Sequence, residues 1–197
     1  MGAITIVPRW EWRCFAPSLG KLEQAIALPS DITPCESDET YILNLTGPIS
    51  DNVKIRDGIL DVKRLHQTDA DGLELWEPVF KAHFPLDRNA VATAFAAWVP
   101  DPAALPRDSF TLEQLISDIV APQPALRAIG VHKSRRSFIY DGCLAEFVAL
   151  KVESVTSRSF SLEHEDPRRI LAALRVLELD GHANTNYPRG LKRALGL

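Results

Sequence analysis

The sequence predicts an α+β protein built on an eight-stranded antiparallel β-barrel, with flanking helices and a helical insert. Three observations predict it. Asp57-Gly58, Asp71-Gly72 and Asp141-Gly142 each separate runs rich in β-formers, and Asp-Gly tolerates the positive φ of a tight hairpin turn. Those runs alternate charged and apolar residues with the period of two that a half-buried strand requires. Between and after them lie segments with helical spacing and capping residues. Nothing in 197 residues requires more than one domain, so a single domain over 1–197 is expected, with the insert at about 87–121 and C-terminal helices at about 167–197.

The elements follow in order. "RWEWRCF", residues 9–15, sets Arg9, Glu11 and Arg13 against Trp10 and Trp12, giving a strand with one charged and one apolar face. "DETYILNLT" is a second strand. "NVKIR" turns into "ILDVKRLHQ", which turns through "TDADG" into "LELWEPVFKAHF". Asp87 can cap a helix carrying Val91, Phe95 and Trp98 on one face, and Thr111 with Gln114 forms a capping box ahead of Leu112, Leu115, Ile116 and Ile119; "PDPAALPRDS" links the two. "AIGVHKSRRSFIY" then turns into "CLAEFVALKVES", and "SRSFSLEHE" is the eighth strand. Asp166-Pro167 starts a helix with Ile170, Leu171, Leu174 and Leu177 on one face, and "YPRGLKRAL" closes the chain as a short solvated helix.

Composition excludes several classes of function. With 46% hydrophobic and 24% charged residues and a net charge of −4, the chain has no overall attraction for nucleic acid or membrane, so any anion site is local. No apolar run approaches the ~20 residues of a membrane helix, and "MGAITIVPRW" has neither the basic start nor the apolar core of a secretory signal, so a cytoplasmic location is expected. Ile6 stands where N-myristoylation wants Ser or Thr. Cys14, Cys35 and Cys143 fit no disulfide or Cys-x-x-Cys pattern and read as reduced, mostly buried packing residues.

The mixed-charge face of "RWEWR" recurs. Lys54 and Arg56 share a face, as do Asp61 and Lys63, Lys133 and Arg135, and Glu163 and Glu165, while Val53, Ile55, Leu60, Val62, Phe160 and Leu162 lie on the opposite faces and need burial. In a barrel wrapped by helices the apolar faces pack outward and the charged faces point inward, which makes a polar tunnel. A tunnel lined with both signs suits a polyanion held by Lys and Arg, with carboxylates holding a divalent cation against it. His164 alternates away from its neighbouring glutamates and reads as packing or surface; the tryptophans at 10, 12, 76 and 98 read as core; "KSRR" is too short, in a chain of pI about 5.7, for a nucleic-acid patch.

In their succession, "RWEWR", "VKIR", "LDVK", "HKSRR" and "LEHE" resemble the CYTH, or triphosphate tunnel metalloenzyme, superfamily. That family opens on a Glu-x-Glu-x-Lys strand, continues through a Leu-Arg-Ile-Arg-like strand, a strand ending in Lys and a Lys-x-Arg strand, and closes on Glu-x-Glu. The resemblance runs from about Arg9 to Glu165. It implies that Lys54, Arg56, Lys63, Lys133 and Arg135 bind phosphates, that Arg13 replaces the opening lysine, and that Glu11, Glu163 and Glu165 ligate Mg²⁺ or Mn²⁺ and carry catalysis. Glu74 and Glu146 match further mid-barrel acids at the substrate, and a C-terminal helix can plug one tunnel end, with Tyr187 or Lys192 at its mouth. Family members hydrolyse inorganic triphosphate, thiamine triphosphate or nucleoside triphosphates, or cyclise ATP. The expected partner is thus a small polyphosphate or nucleotide, not nucleic acid or membrane, with the oligomeric state open. One departure stands out: Arg9 occupies the place of the first glutamate, as a counter-ion to the remaining acids or a phosphate ligand in its own right. Two functions follow, a metal-dependent triphosphatase or a non-catalytic polyphosphate-binding module with a degenerate metal site.

Overall fold

A computed structural model describes residues 7–26, 28, 32–47, 50–98, 103 and 105–197. The myristoylation test at Ile6 and residues 100–102 and 104 of the "PDPAALPRDS" linker lie outside these residues. Eight strands form the barrel: β1 (Arg9–Ala16), β2 (Cys35–Asn44), β3 (Asp51–Arg56), β4 (Ile59–Thr68), β5 (Glu74–His83), β8 (Leu126–Tyr140), β9 (Cys143–Val152) and β10 (Val155–His164). All neighbours are antiparallel, in the order β1-β10-β9-β8-β2-β3-β4-β5, and β1 closes the barrel by pairing with β5. β6 (Leu86–Asp87) and β7 (Ser109–Phe110) form a separate two-stranded ladder at the insert.

The turn chemistry explains the hairpins in part. Asp57-Gly58 and Asp141-Gly142 have positive φ at both residues, the requirement of a two-residue turn whose twist matches its strands. Asp71-Gly72 works differently: only Gly72 is left-handed, and the Asp69 carboxylate accepts from the amides of Asp71 and Leu73 (3.0 and 2.8 Å) in a longer loop. The β9–β10 turn carries no Asp-Gly; Glu153 takes the left-handed conformation there.

Helices cover the apolar outer faces in two places. α2 (Arg88–Ala94) is capped by Asp87, and α3 (Leu112–Leu115) by the Thr111/Gln114 box before a π-helical turn at Ile116–Val120. Together they bury Phe95, Leu115 and Ile119 on Val53, Ile55, Leu60 and Val62 of β3 and β4. On the other side α4 (Pro167–Val176) lays Ile170, Ala173 and Leu174 on Trp12, Phe147, Phe160 and Leu162, assisted by α1 (Gly20–Ala25). Trp10 and Trp98 pack against these clusters, as expected.

The interior differs from a tunnel charged throughout. Tyr41, Leu43, Ile129, Val131, Val148, Leu150 and Val152 point inward and form a third apolar cluster. α5 (Tyr187–Leu195) fills that half of the barrel with Tyr187 and Leu191, so "YPRGLKRAL" is largely buried along one face rather than a solvated end. The physical reason is demand: a closed barrel's lower interior must be filled by side chains, and α5 supplies them. Gly190 makes the approach possible, because a Cβ there would lie 2.6 Å from Phe15 Cδ2. Gly190→Ala is therefore expected to destabilise the fold by about 1–3 kcal/mol through overpacking, measured by denaturant unfolding. No helix among the described residues is long and apolar enough to cross a membrane.

Candidate functional site

The other half of the interior is charged. β1 lies between β5 and β10, and register places Glu11 opposite Glu74 on one side and Glu163 on the other. Two residues further along, Arg13 is buried. Its Nε donates to Glu11 Oε1 at 2.8 Å and Nη1 to Ser159 Oγ at 3.1 Å; Nη2 lies 3.8 Å from Glu146 Oε1, and the guanidinium sits over the Tyr187 ring. Burial alone would raise the Glu11 carboxyl, but Arg13, Lys63 and Lys54 outweigh it and hold it below its ordinary value. Glu163 moves the other way, pushed up by burial and by the charge of Glu11. Glu74 is buried, accepting from Asn186, Arg189 and the Trp76 indole, so it clamps α5 to the barrel.

The opposite wall is basic. Glu39, on the same face of β2 as Tyr41, is fully buried, with Lys133 Nζ at 2.9 Å, Arg56 Nη1 at 3.5 Å and Arg135 Nη1 at 3.7 Å. The Tyr41 hydroxyl donates to Glu39 at 3.1 Å and accepts from Lys133 at 2.6 Å. Burial would raise Glu39, yet Lys133, with Lys54 and Arg135, holds it down at about 2. Burial lowers Lys133 to about 8 in spite of Glu39. Lys54 bridges the two walls, 3.7 Å from Asp61.

A cavity of about 520 Å³ opens at this end, lined by Arg9, Glu11, Asp61, Lys63, Lys81, Glu163 and Glu165, with Trp76 and Pro78. Of the residues expected at the site, Arg9, Glu11, Lys63, Glu163 and Glu165 meet in this cavity; Lys54, Arg56, Lys133 and Arg135 gather around Glu39; Arg13 and Glu146 form the pair between. The charged strand faces thus converge inside one closed sheet.

No family model matches the chain, and no curated relative does either. Solved structures similar to this barrel include a Hippeastrum protein described as an adenylyl cyclase candidate with a dominant triphosphatase activity (14% identity, 95% of this chain and 96% of that chain, TM-score 0.49). Others are an adenylate cyclase candidate of Bacillus halodurans (13%, 92% and 97%, TM-score 0.48) and a conserved hypothetical protein of Pyrococcus furiosus (13%, 91% and 98%, TM-score 0.47).

Sequence reasoning missed Glu39, Lys81, Asn186 and Arg189. It also placed Trp76 in the apolar core, whereas that ring is buried on the inward face beside the cavity. "KSRR" divides between faces: Lys133 and Arg135 point inward, and Arg136 pins Glu23 of α1 at 2.8 Å on the outside. Cys35 is exposed rather than buried, with its Sγ 3.8 Å from Arg135 Nη2.

Glu11, Glu163 and Glu165 are the residues expected to hold Mg²⁺ or Mn²⁺. Glu11 is already engaged by Arg13, and Arg9 stands on the cavity wall with Glu163 and Glu165. Among the described residues no group of three or more His, Cys, Asp or Glu side chains is arranged to hold a metal ion. Arg13 supplies the charge that neutralises Glu11, which a divalent cation would have to displace or share.

Proposed function

We propose that the barrel binds the triphosphate group of a small molecule (inorganic triphosphate, thiamine triphosphate or a nucleoside triphosphate) and that it acts as a binding module rather than a hydrolase. The observation that carries this reading is the basic wall: Lys133, Arg56 and Arg135 converge from two strands on the single carboxylate of Glu39, leaving surplus positive charge around it. Lys63 and Lys81 add to it at the cavity wall, with no ion pair to either among the described residues. Such surplus suits phosphate oxygens, which accept several charge-assisted hydrogen bonds at once. Metal-dependent hydrolysis is the second reading, favoured by the cross-strand pairing of Glu11 with Glu163 and the like-charge repulsion that raises Glu163.

Thermal unfolding with tripolyphosphate, thiamine triphosphate and ATP tests the proposal. A ligand at a hundred times its Kd adds about 2.7 kcal/mol, or roughly 5–10 °C in Tm for a chain of this size. The shift is expected with at least one of the three and should disappear in Lys63→Glu and Arg135→Glu. Phosphate release with Mg²⁺ and with Mn²⁺ is expected to stay at background; turnover abolished by Glu163→Gln would establish the second reading instead. Unchanged melting with all three ligands would remove any triphosphate role.

A further inference from the structure

Glu39 is unusual among the interior acids. Its side chain is fully buried, three cations lie within 3.7 Å of it, and it accepts from two hydroxyls besides: Tyr41 at 3.1 Å and Ser37 at 3.3 Å. That is the coordination a phosphoryl group would seek, several donors of positive charge around a compact anion. The cradle is also not saturated. Arg135 reaches Glu39 and the Cys35 sulfur only at 3.7 and 3.8 Å, and its buried Nε has no hydrogen-bond partner. A buried guanidinium N–H without an acceptor is costly, and it marks a fork that a better-placed oxyanion would complete. The cluster is open on one side, since the Arg56 side chain is 32% exposed and Arg135 17%. Lys54, whose charge also acts on Glu39, is paired with Asp61 of the adjoining cavity.

We propose that Glu39 is an internal anion that occupies this phosphate cradle in the unliganded protein, and that an entering terminal phosphoryl group competes with it for Lys133, Arg56 and Arg135. The inference rests on the triphosphate-binding reading and deepens it. Glu39 holds like charges together while the site is empty, because three cations confined without an anion repel one another in a low-dielectric interior. The same contact weakens ligand binding, because the cations are partly neutralised before the ligand arrives. Glu39 is accordingly a positioning residue that trades affinity for a preformed site.

The test is tripolyphosphate binding by calorimetry to the native chain, Glu39→Gln and Glu39→Asp, with Tm recorded in chloride, sulfate and tripolyphosphate. Glutamine keeps the shape and an acceptor oxygen but removes the charge. Glu39→Gln is expected to bind tripolyphosphate at least tenfold more tightly than the native chain, with a Tm lower in chloride and more strongly raised by either polyvalent anion. Glu39→Asp, which keeps the charge but withdraws it, should fall between the two. Should Glu39→Gln fold only when tripolyphosphate or sulfate is present, the external anion has replaced the internal one, and the proposal stands. Equal or weaker binding by a folded Glu39→Gln overturns the role of Glu39 while leaving triphosphate binding intact. A Glu39→Gln chain that stays unfolded even in tripolyphosphate, or a Glu39→Asp that binds no better than native, makes Glu39 a structural counter-ion only. Absence of binding by all three chains overturns both readings together.

Discussion

Replacing Arg9 with glutamate is expected to strengthen divalent-cation binding at the cavity. Arg9 is the register partner of Trp76 on β5, so it shares the inward face with Glu11, and it lines the cavity together with Glu11, Glu163 and Glu165. The substitution changes the local charge by two and leaves a fourth carboxylate beside three others. Without metal the added repulsion should lower stability and push the Glu163 carboxyl further above its ordinary value, in the direction it already leans under burial and Glu11. Mg²⁺ or Mn²⁺ relieves that repulsion, since hard cations take carboxylate oxygens. Affinity for Mn²⁺ in Arg9→Glu should exceed that of the native chain at least tenfold by calorimetry, with a Tm rise on Mn²⁺ addition confined to the variant. Metal-free tripolyphosphate binding should weaken in the same protein, because a cation at the cavity wall has been lost. If neither metal response nor polyphosphate affinity changes, Arg9 has no part in the site.

The barrel was legible because its strands obey local rules. Alternation with period two placed Lys54, Arg56, Lys63, Lys133, Arg135, Glu11 and Glu163 on inward faces, and Asp57-Gly58 and Asp141-Gly142 marked hairpins with the turn geometry they adopt. What escaped depended on closure or on broken register. Lys81 and Trp76 differ in parity on β5, yet both line the cavity, because β4 and β5 slip register between Val62 and Lys63, where Val79 is the extra residue on β5. Bulges of this kind leave no mark in a period-two pattern. The half of the interior filled by α5 was signalled more plainly. "FVALKV" on β9 is apolar at nearly every position, which is the mark of a strand buried on both faces, and the inward residues Val148, Leu150 and Val152 receive Tyr187 and Leu191. Glu39 carried a similar signal, as one acid on a face continued by Tyr41 and Leu43. In "CESDET" it is hidden among Glu36 and Asp38, which point outward to His132.

Polyphosphate affinity should fall as pH rises through about 8, while the stability of the unliganded chain rises over the same range. Both effects come from Lys133. Burial lowers its amine to about 8, and the groups facing it are Glu39 and Tyr41 on β2, Arg13 on β1, Glu146 on β9 and the Tyr187 ring on α5. An unfolded chain holds that proton up to about 10.4. Between about 8 and 10.4 the unfolded state therefore binds more protons than the native state, and stability increases with pH in that window and is insensitive to Lys133 below it. Ligand binding has the opposite sign. A phosphate in the cradle needs the ammonium form, so above pH 8 binding must draw a proton from solvent, and affinity declines by up to tenfold per pH unit. Calorimetry of tripolyphosphate binding at pH 7, 8 and 9, in buffers of different ionisation enthalpy, should show proton uptake only above 8. Lys133→Arg keeps a charge that does not titrate in this range, so comparing it with the native chain cancels any titration of the ligand itself. The native affinity should drop relative to the arginine variant across pH 8; parallel profiles for the two proteins would place Lys133 outside the ligand's reach.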